Sequence, residues 1–201
     1  QRKRLKNVFV PLPRMEGEDL IEKTFIWQFG DPKETLKIAL PISQNRYRHA
    51  KQEERLPQNR WISYVLAESP EMNYLSASFL NVFLQHPQWN SYEQTSAILT
   101  FVQQGIRYAY DKDTTPKPDW PRYPIETLQE EVGDCEDVAI LTAAIMNRLG
   151  FQVALIMLPS HCALGIAGVN NLPGDYIKDD ATGRHYYYAE ATAEGWKIGV
   201  L

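Results

Sequence analysis

Cysteine is scarce in this chain, with two residues in 201. That excludes a disulfide-framed scaffold, which needs a larger even set of cysteines. The chain has no CxxC and no HxxxH, so a metal site drawn from Cys135, His161, Cys162 and His185 lacks the usual ligand spacing. Asp111 and Asp113 begin like a calcium loop, but the Gly and Glu required at later positions are missing. No metal and no cofactor are therefore expected. Long apolar runs are also missing, and none approaches the ~18 residues of a membrane span. Nor is there an excess of positive charge: the formal net charge of -4 argues against nucleic acid as the partner. No internal repeat or low-complexity segment is visible.

What is present is ordinary for a soluble globular protein: 44% hydrophobic and 23% charged residues. A chain of 201 residues can bury one large core, or a small domain with an appended lobe. It opens on Gln and closes on Val200-Leu201, so the expectation is a trimmed or processed product of a larger parent chain. Arg2, Lys3, Arg4 and Lys6 make a basic start. Such a cluster is either a solvated terminus or the cytoplasmic flank of a membrane anchor.

Alternating apolar and polar residues over Thr24–Gly30 and Thr35–Ile42, around Asp31-Pro32-Lys33-Glu34, predict a β-hairpin. Residues 44–60 are polar and read as an exposed connection, and Trp61–Ala67 reads as a strand. Ser69-Pro70-Glu71 opens a helix with a cap and a proline at its first position. Ser91-Tyr92-Glu93-Gln94 opens a second helix as a capping box. Asp111–Tyr123 carries Pro116, Pro118 and Pro121 and reads as a loop long enough to line a site, with a short helix after Pro124. Beyond residue 150, Gln152–Leu158, His161–Gly168, His185–Thr192 and Trp196–Leu201 read as strands. Helices followed by an antiparallel run of strands define an α+β class. The expected division is residues 1–88 as an N-terminal hairpin-plus-helix extension and residues 89–201 as a catalytic domain.

The segment richest in chemistry is Gly133-Asp134-Cys135-Glu136-Asp137. Asp134 is a good N-cap, and Asp137 three positions later resembles a capping-box partner. Val138, Ala139, Thr142, Ala143 and Met146 recur at helical spacing, and Gly150 marks the stop. Cys135 then occupies the first helical turn, where unpaired amides and the helix dipole favour a thiolate. Asp134, Glu136 and Asp137 act in the opposite direction, because nearby negative charge disfavours a thiolate. A reactive Cys135 therefore requires an imidazolium close by. Without one, it is a small buried residue at the end of a core stripe.

There are four histidines. His49 lies in the expected connection and His86 at a helix end, which makes both surface candidates. His161 starts a strand. If His161–Gly168 pairs with the strand ending at Thr192, a register setting His161 opposite Glu190 also sets Gly168 opposite Gly183. His161 and Glu190 would then share a face. Ala163, Gly165 and Ala167 share that face and are small, leaving room for the Cys helix. Cys162 falls on the other face, which argues against a bridge to Cys135. Parity also makes His185 a weaker candidate base. Nucleophile, base and orienting carboxylate form the logic of a triad in thiol form.

Tyr123-Pro-Ile-Glu-Thr-Leu128, Gly133-Asp-Cys-Glu-Asp137, Ser160-His161, and Tyr188-Ala-Glu-Ala-Thr192 before Gly195-Trp196 together resemble the transglutaminase-like cysteine-enzyme superfamily, in its bacterial and archaeal form. The resemblance covers roughly residues 95–201. It implies a papain-like core with the Cys helix packed on an antiparallel sheet, Cys135 as nucleophile, His161 as base and Glu190 as orienting acid. The sequence departs from the family at Glu190-Ala-Thr192, where the family more often has Asp-Pro-Thr.

The implied chemistry is acyl transfer on a protein or peptide substrate. The Cys135 thiolate attacks a carboxamide or peptide carbonyl, and the Cys135 backbone amide supplies one oxyanion donor. Trp120 and Tyr123 are candidates for the second donor. Hydrolysis is preferred to transamidation because water is the default acceptor unless a site excludes it. The alternatives are a protein cross-linking transamidase and a non-catalytic transglutaminase-like binding module of a larger protein.

Overall fold

The structure, a computed structural model, describes residues 9–17, 19–115, 117, 120–168 and 174–201. The basic cluster Arg2–Lys6 lies outside the described residues. Among those described, no helix is long and apolar enough to cross a membrane.

Strands β1 (Leu20–Phe29) and β2 (Glu34–Ser43) form the expected antiparallel hairpin. Phe25 and Trp27 on β1, with Leu36, Ile38, Leu40 and Ile42 on β2, turn one face into the core. Helix α1 (Gln44–Gln52) follows at once and replaces the expected connection. Its start is a local signal that the run of charged residues obscures: the Ser43 hydroxyl accepts from Arg46 N at 3.2 Å. Helix α2 (Ile62–Leu66) replaces the expected strand. Trp61, Tyr64 and Val65 are the buried residues there, and that spacing is helical, not alternating.

Helix α3 (Pro70–Gln85) begins as expected, with Ser69 as cap. Helix α4 (Ser91–Gly105) is capped one residue earlier than expected. Asn90 accepts from the Tyr92 and Glu93 amides, and Glu93 accepts from Asn90 N at 2.8 Å. Trp27 meets Phe101 at 5.2 Å between ring centroids, and Phe101 meets Phe79 edge-on at 5.3 Å. Edge-to-face packing of this kind adds to the area the rings bury, and it fastens the hairpin to α3 and α4.

A short strand β3 (Arg107–Tyr108) leads through α5 (Asp111–Thr114) and α6 (Pro124–Glu130) to β4 (Val132–Gly133), which pairs in parallel with β3. Helix α7 (Cys135–Arg148) comes next. Every residue from Glu136 to Met146 is buried, because α7 packs against α2, α3, α4 and α6 as well as the sheet. A helix apolar nearly all round belongs at the centre of a core.

The sheet contains β5 (Gln152–Leu158), β6 (His161–Ala167), β7 (Tyr176–Lys178) and β8 (His185–Ala189), in the order β5-β6-β8-β7, all antiparallel. Pro159 and Ser160, the latter with φ of 57°, turn β5 into β6. β7 occupies part of the expected loop, and residues 196–201 form no strand. Gly195 and Gly199, with φ of 90° and 84°, break the extended pattern there. One core cluster extends from Phe25 on β1 to Ile198 without interruption across position 88.

Two expectations about β6 are corrected. Its register on β8 pairs Leu164 with Ala189 and Gly165 with Tyr188, two residues away from the expected one. The face it offers to the main core is Cys162, Leu164 and Ile166, not Ala163, Gly165 and Ala167. Leu164 and Ile166 have more apolar area to bury than Ala and Gly, which decides the face.

Candidate active site

The first turn of α7 is built as its sequence suggests. Asp134 caps it, and Asp134 N donates to Asp137 Oδ2 at 3.3 Å. Gly133 is required by close approach: a Cβ there would lie 2.6 Å from the Asp137 Cβ. Asp137 is fully buried against Arg122, which donates from its backbone N to Oδ1 at 2.6 Å and from Nη1 to Oδ2 at 2.5 Å. Arg122 also donates to Asp111 Oδ1 at 2.8 Å, Glu130 Oε2 at 3.0 Å and Thr114 Oγ1 at 2.8 Å. Burial pushes the Asp137 carboxyl up, and the Arg122 guanidinium opposes that push. One of the three acids flanking Cys135 is thus matched by a cation.

Cys135 is partly buried, and its thiol donates to Glu136 Oε2 at 3.2 Å. Burial pushes the Cys135 thiol up to about 12, with the Glu136 charge adding to the rise. The Cys162 backbone amide acts the other way and favours the charged form of the sulfur. Asp134 and Glu136 sit against each other, and burial followed by their mutual contact raises the Asp134 carboxyl to about 8. Both cysteines are free, although Cys162 lies on the α7 side of the sheet and not on the far side.

His161 Nε2 lies 2.7 Å from Glu190 Oε2. Glu190 is held from three more directions. Tyr188 Oη donates to Oε2 at 2.8 Å, while Thr192 donates to Oε1 from its hydroxyl at 2.8 Å and from its amide at 3.1 Å. Burial opposes ionisation of Glu190, but the hydrogen bonds from Thr192, His161 and Tyr188 outweigh it and hold the carboxyl below its ordinary value. Gln103 Nε2 on α4 ties the Glu190 carbonyl to the Trp196 carbonyl, at 2.8 and 3.0 Å. His161 Nδ1 makes no hydrogen bond among the described residues, and none joins His161 to Cys135.

The structure therefore brings His161 and Glu190 together and sets the Cys135 sulfur against the residue next to His161. Sequence reasoning missed Tyr188, Thr192 and Gln103 as supports of Glu190, and Arg122 as the anchor of α7. The spacing of Tyr188, Glu190 and Thr192, every second residue along one segment, is the signal that points to the first two. Tyr108 was missed as well. Burial, then the charges of Cys135 and Asp134, raise its phenol. It lines an open cleft of about 770 Å³ with Thr192, Gln104, Arg107 and Glu194.

The other candidates lie elsewhere. His49 pairs with Glu53 at the surface, His86 bonds Val82 O and Glu34, and His185 stacks on Tyr176. Trp120 carries the Arg55 guanidinium 4.3 Å above its ring, and Tyr123 meets Tyr64 edge-on at 4.5 Å. Neither hydrogen-bonds Cys135 among the described residues. Two sets of ligand atoms lie within 4.8 Å of one another: Asp134, Cys135 and Glu136, and Asp111, Asp134 and Asp137. Arg122 already supplies the positive charge in the second, and the first consists of three consecutive residues engaged with one another. Neither carries an assignment as a metal centre.

The structure thus sets a cysteine at the start of a buried helix that packs on an antiparallel sheet bearing a histidine–carboxylate pair, in an α+β fold. Residues 78–166 match the family described as "Transglutaminase-like domain". Over this stretch, which is less than half of the chain, the sequence is similar to that family. No curated protein matches it. Among solved structures it is similar to a candidate cysteine protease from Cytophaga hutchinsonii, at 14% identity and a TM-score of 0.41, over 95% of this chain and 73% of that one. A likeness of that size carries no conclusion about activity.

Proposed function

We propose that this protein is a thiol-dependent acyl-transfer enzyme, a cysteine protease or amidase, with Cys135 as nucleophile, His161 as base and Glu190 as the acid that orients His161. The observation that carries this reading is the 2.7 Å contact between His161 Nε2 and Glu190 Oε2, which leaves Nδ1 as the free nitrogen. A neutral ring bonded in this way donates from Nε2 and keeps a lone pair on Nδ1.

In the reaction, Nδ1 takes the thiol proton and the sulfur attacks a carbonyl carbon of a peptide or carboxamide. The Cys135 backbone amide, at a helix start, donates to the developing oxyanion. The protonated ring returns its proton to the leaving amine, and a thioester remains on Cys135. Water, deprotonated by the same nitrogen, then releases the acid and regenerates the thiol. An amine in place of water would give transamidation by the same steps.

One observation favours a second reading, a non-catalytic binding module: the thiol donates to Glu136 and not to His161. Release of amine or ammonia from a panel of peptides and carboxamides decides between the two. The enzyme reading expects turnover by the wild type, its loss in Cys135→Ala, and a fall of about 10²-fold or more in His161→Ala. Turnover that survives Cys135→Ala would defeat it, and a panel on which the wild type is inert would support the binding module.

A further inference from the structure

Glu136 is a buried acid that the mechanism above leaves unused. It is 6% exposed and stands on the first turn of α7. Its carboxylate is nevertheless the acceptor of the Cys135 S–H at 3.2 Å, and its other neighbour is the Asp134 carboxyl. Asp134 is 9% exposed, and its Oδ1 has no hydrogen-bond partner among the described residues. Two buried carboxyls in contact ionise together only at high cost, so the pair holds one proton between them. His161 Nδ1, which must receive the thiol proton if Cys135 is to react, is left without a partner among the described residues.

We propose that Glu136 is a positioning residue that, with Asp134, holds the Cys135 thiol as a hydrogen-bond donor in the resting site and so withholds it from His161. The proposal rests on the assignment of His161 as base. Activation then breaks one hydrogen bond, S–H to Glu136 Oε2. The intact S–H turns to Nδ1, and only there does the proton leave sulfur. No oxidant, metal or further reactant is needed.

The ionisable groups around the thiol act in a consistent way. On α7, Asp134 and Glu136 oppose a thiolate, while Asp137 is matched by Arg122 from the segment before α6. Asp111 on α5 adds to the negative field at Asp134, and Tyr108 on β3 is kept a neutral phenol by burial and by the charges of Cys135 and Asp134. On β6, Cys162 is a buried neutral thiol and His161 is turned to Glu190. Glu136 is the only carboxylate that hydrogen-bonds the thiol among the described residues.

Iodoacetamide labelling of Cys135 across pH, read by mass spectrometry, tests this. Glu136→Gln removes the charge and keeps the shape, so the labelling midpoint falls by a unit or more and the rate at neutral pH rises about tenfold. Asp134→Asn leaves the remaining charge on Glu136 beside the sulfur, so the midpoint stays or rises. Labelling of Cys162 is the internal control and does not change. A residue that only packs the helix start would lower the melting temperature without moving the midpoint. An unchanged or raised midpoint in a folded Glu136→Gln protein overturns the proposal.

The wild type alone provides a second readout. Its infrared S–H band, assigned by difference from Cys135→Ala, lies at the lowered frequency of a thiol bonded to a carboxylate. A band at the frequency of a free thiol would contradict the latch. Combining Glu136→Gln with His161→Ala separates the two claims. A tenfold gain that disappears in the double variant supports both. A gain that persists keeps the latch, with its charge effect, but removes His161 as the base.

Discussion

His161 and Glu190 meet at 2.7 Å although the ladder does not set them opposite each other. Leu164 pairs with Ala189, so continuing that register would place Glu190 across from Ala163. The pair is therefore diagonal, two residues apart in register and on the same face. The longer Glu side chain spans the extra distance where a shorter Asp would need direct opposition. Thr192 and Tyr188 fix the carboxylate at the required reach.

Shortening Glu190 to Asp should then be nearly as damaging as removing its charge. Single-turnover acylation should slow by about 10²-fold in Glu190→Gln and by a comparable factor in Glu190→Asp. An Asp variant as fast as the wild type would show that reach is not what places the ring.

The depressed Glu190 carboxyl links folding to pH in a definite direction. Its ionised form is favoured in the folded state, so its contribution to stability is complete above the ordinary carboxylate range of about 4.3. That contribution is lost as pH falls from there through the lower folded value. Denaturant unfolding of Glu190→Gln should show a shallower loss of stability on acidification than the wild type. Parallel curves would mean that the hydrogen bonds from Thr192 and Tyr188 do not favour the charged form.

Arg122 anchors the loop of residues 111–123 to the start of α7 through Asp137, Asp111, Glu130 and Thr114. Arg122→Met leaves buried carboxylates without their cation and should cost about 3–5 kcal/mol in urea denaturation. A loss below 1 kcal/mol would indicate that the acids are protonated in the folded protein.

Gly133→Ala tests the same region through packing alone. The added methyl meets the Asp137 Cβ at 2.6 Å, so Asp137 or the strand must move. Destabilisation of about 1–3 kcal/mol is expected, with slower acylation because the Asp134–Cys135 turn shifts. Full stability and full rate would show that this close approach is dispensable.

Much of this architecture can be read from local pattern, and the rest fails for definable reasons. The hairpin, α3 and α7 follow from alternation, helical spacing and caps, which act within a few residues. Trp61–Ala67 misleads because seven residues rich in aromatic and β-branched side chains suit either state, and contact with α7 settles it. Residues 196–201 look strand-like, but Gly199 instead exchanges backbone bonds with Tyr188 and Asp175. Parity places His161 and Glu190 on one face in either register, since a shift of two preserves it. Arg122 could not be found in this way. Its partners are spread over Asp111 to Asp137, and nothing in a proline-rich segment marks one arginine as buried.

The central claim is that Cys135 carries the acyl group, and intact-mass analysis tests it most directly. Mixed with an activated aryl ester, the wild-type protein should gain the mass of one acyl group, mapped to Cys135, and lose it again by hydrolysis. Cys135→Ala should gain nothing, and His161→Ala should acylate about 10²-fold more slowly. Acylation of Cys135 at the same rate with and without His161, or acylation confined to Cys162, would contradict the account.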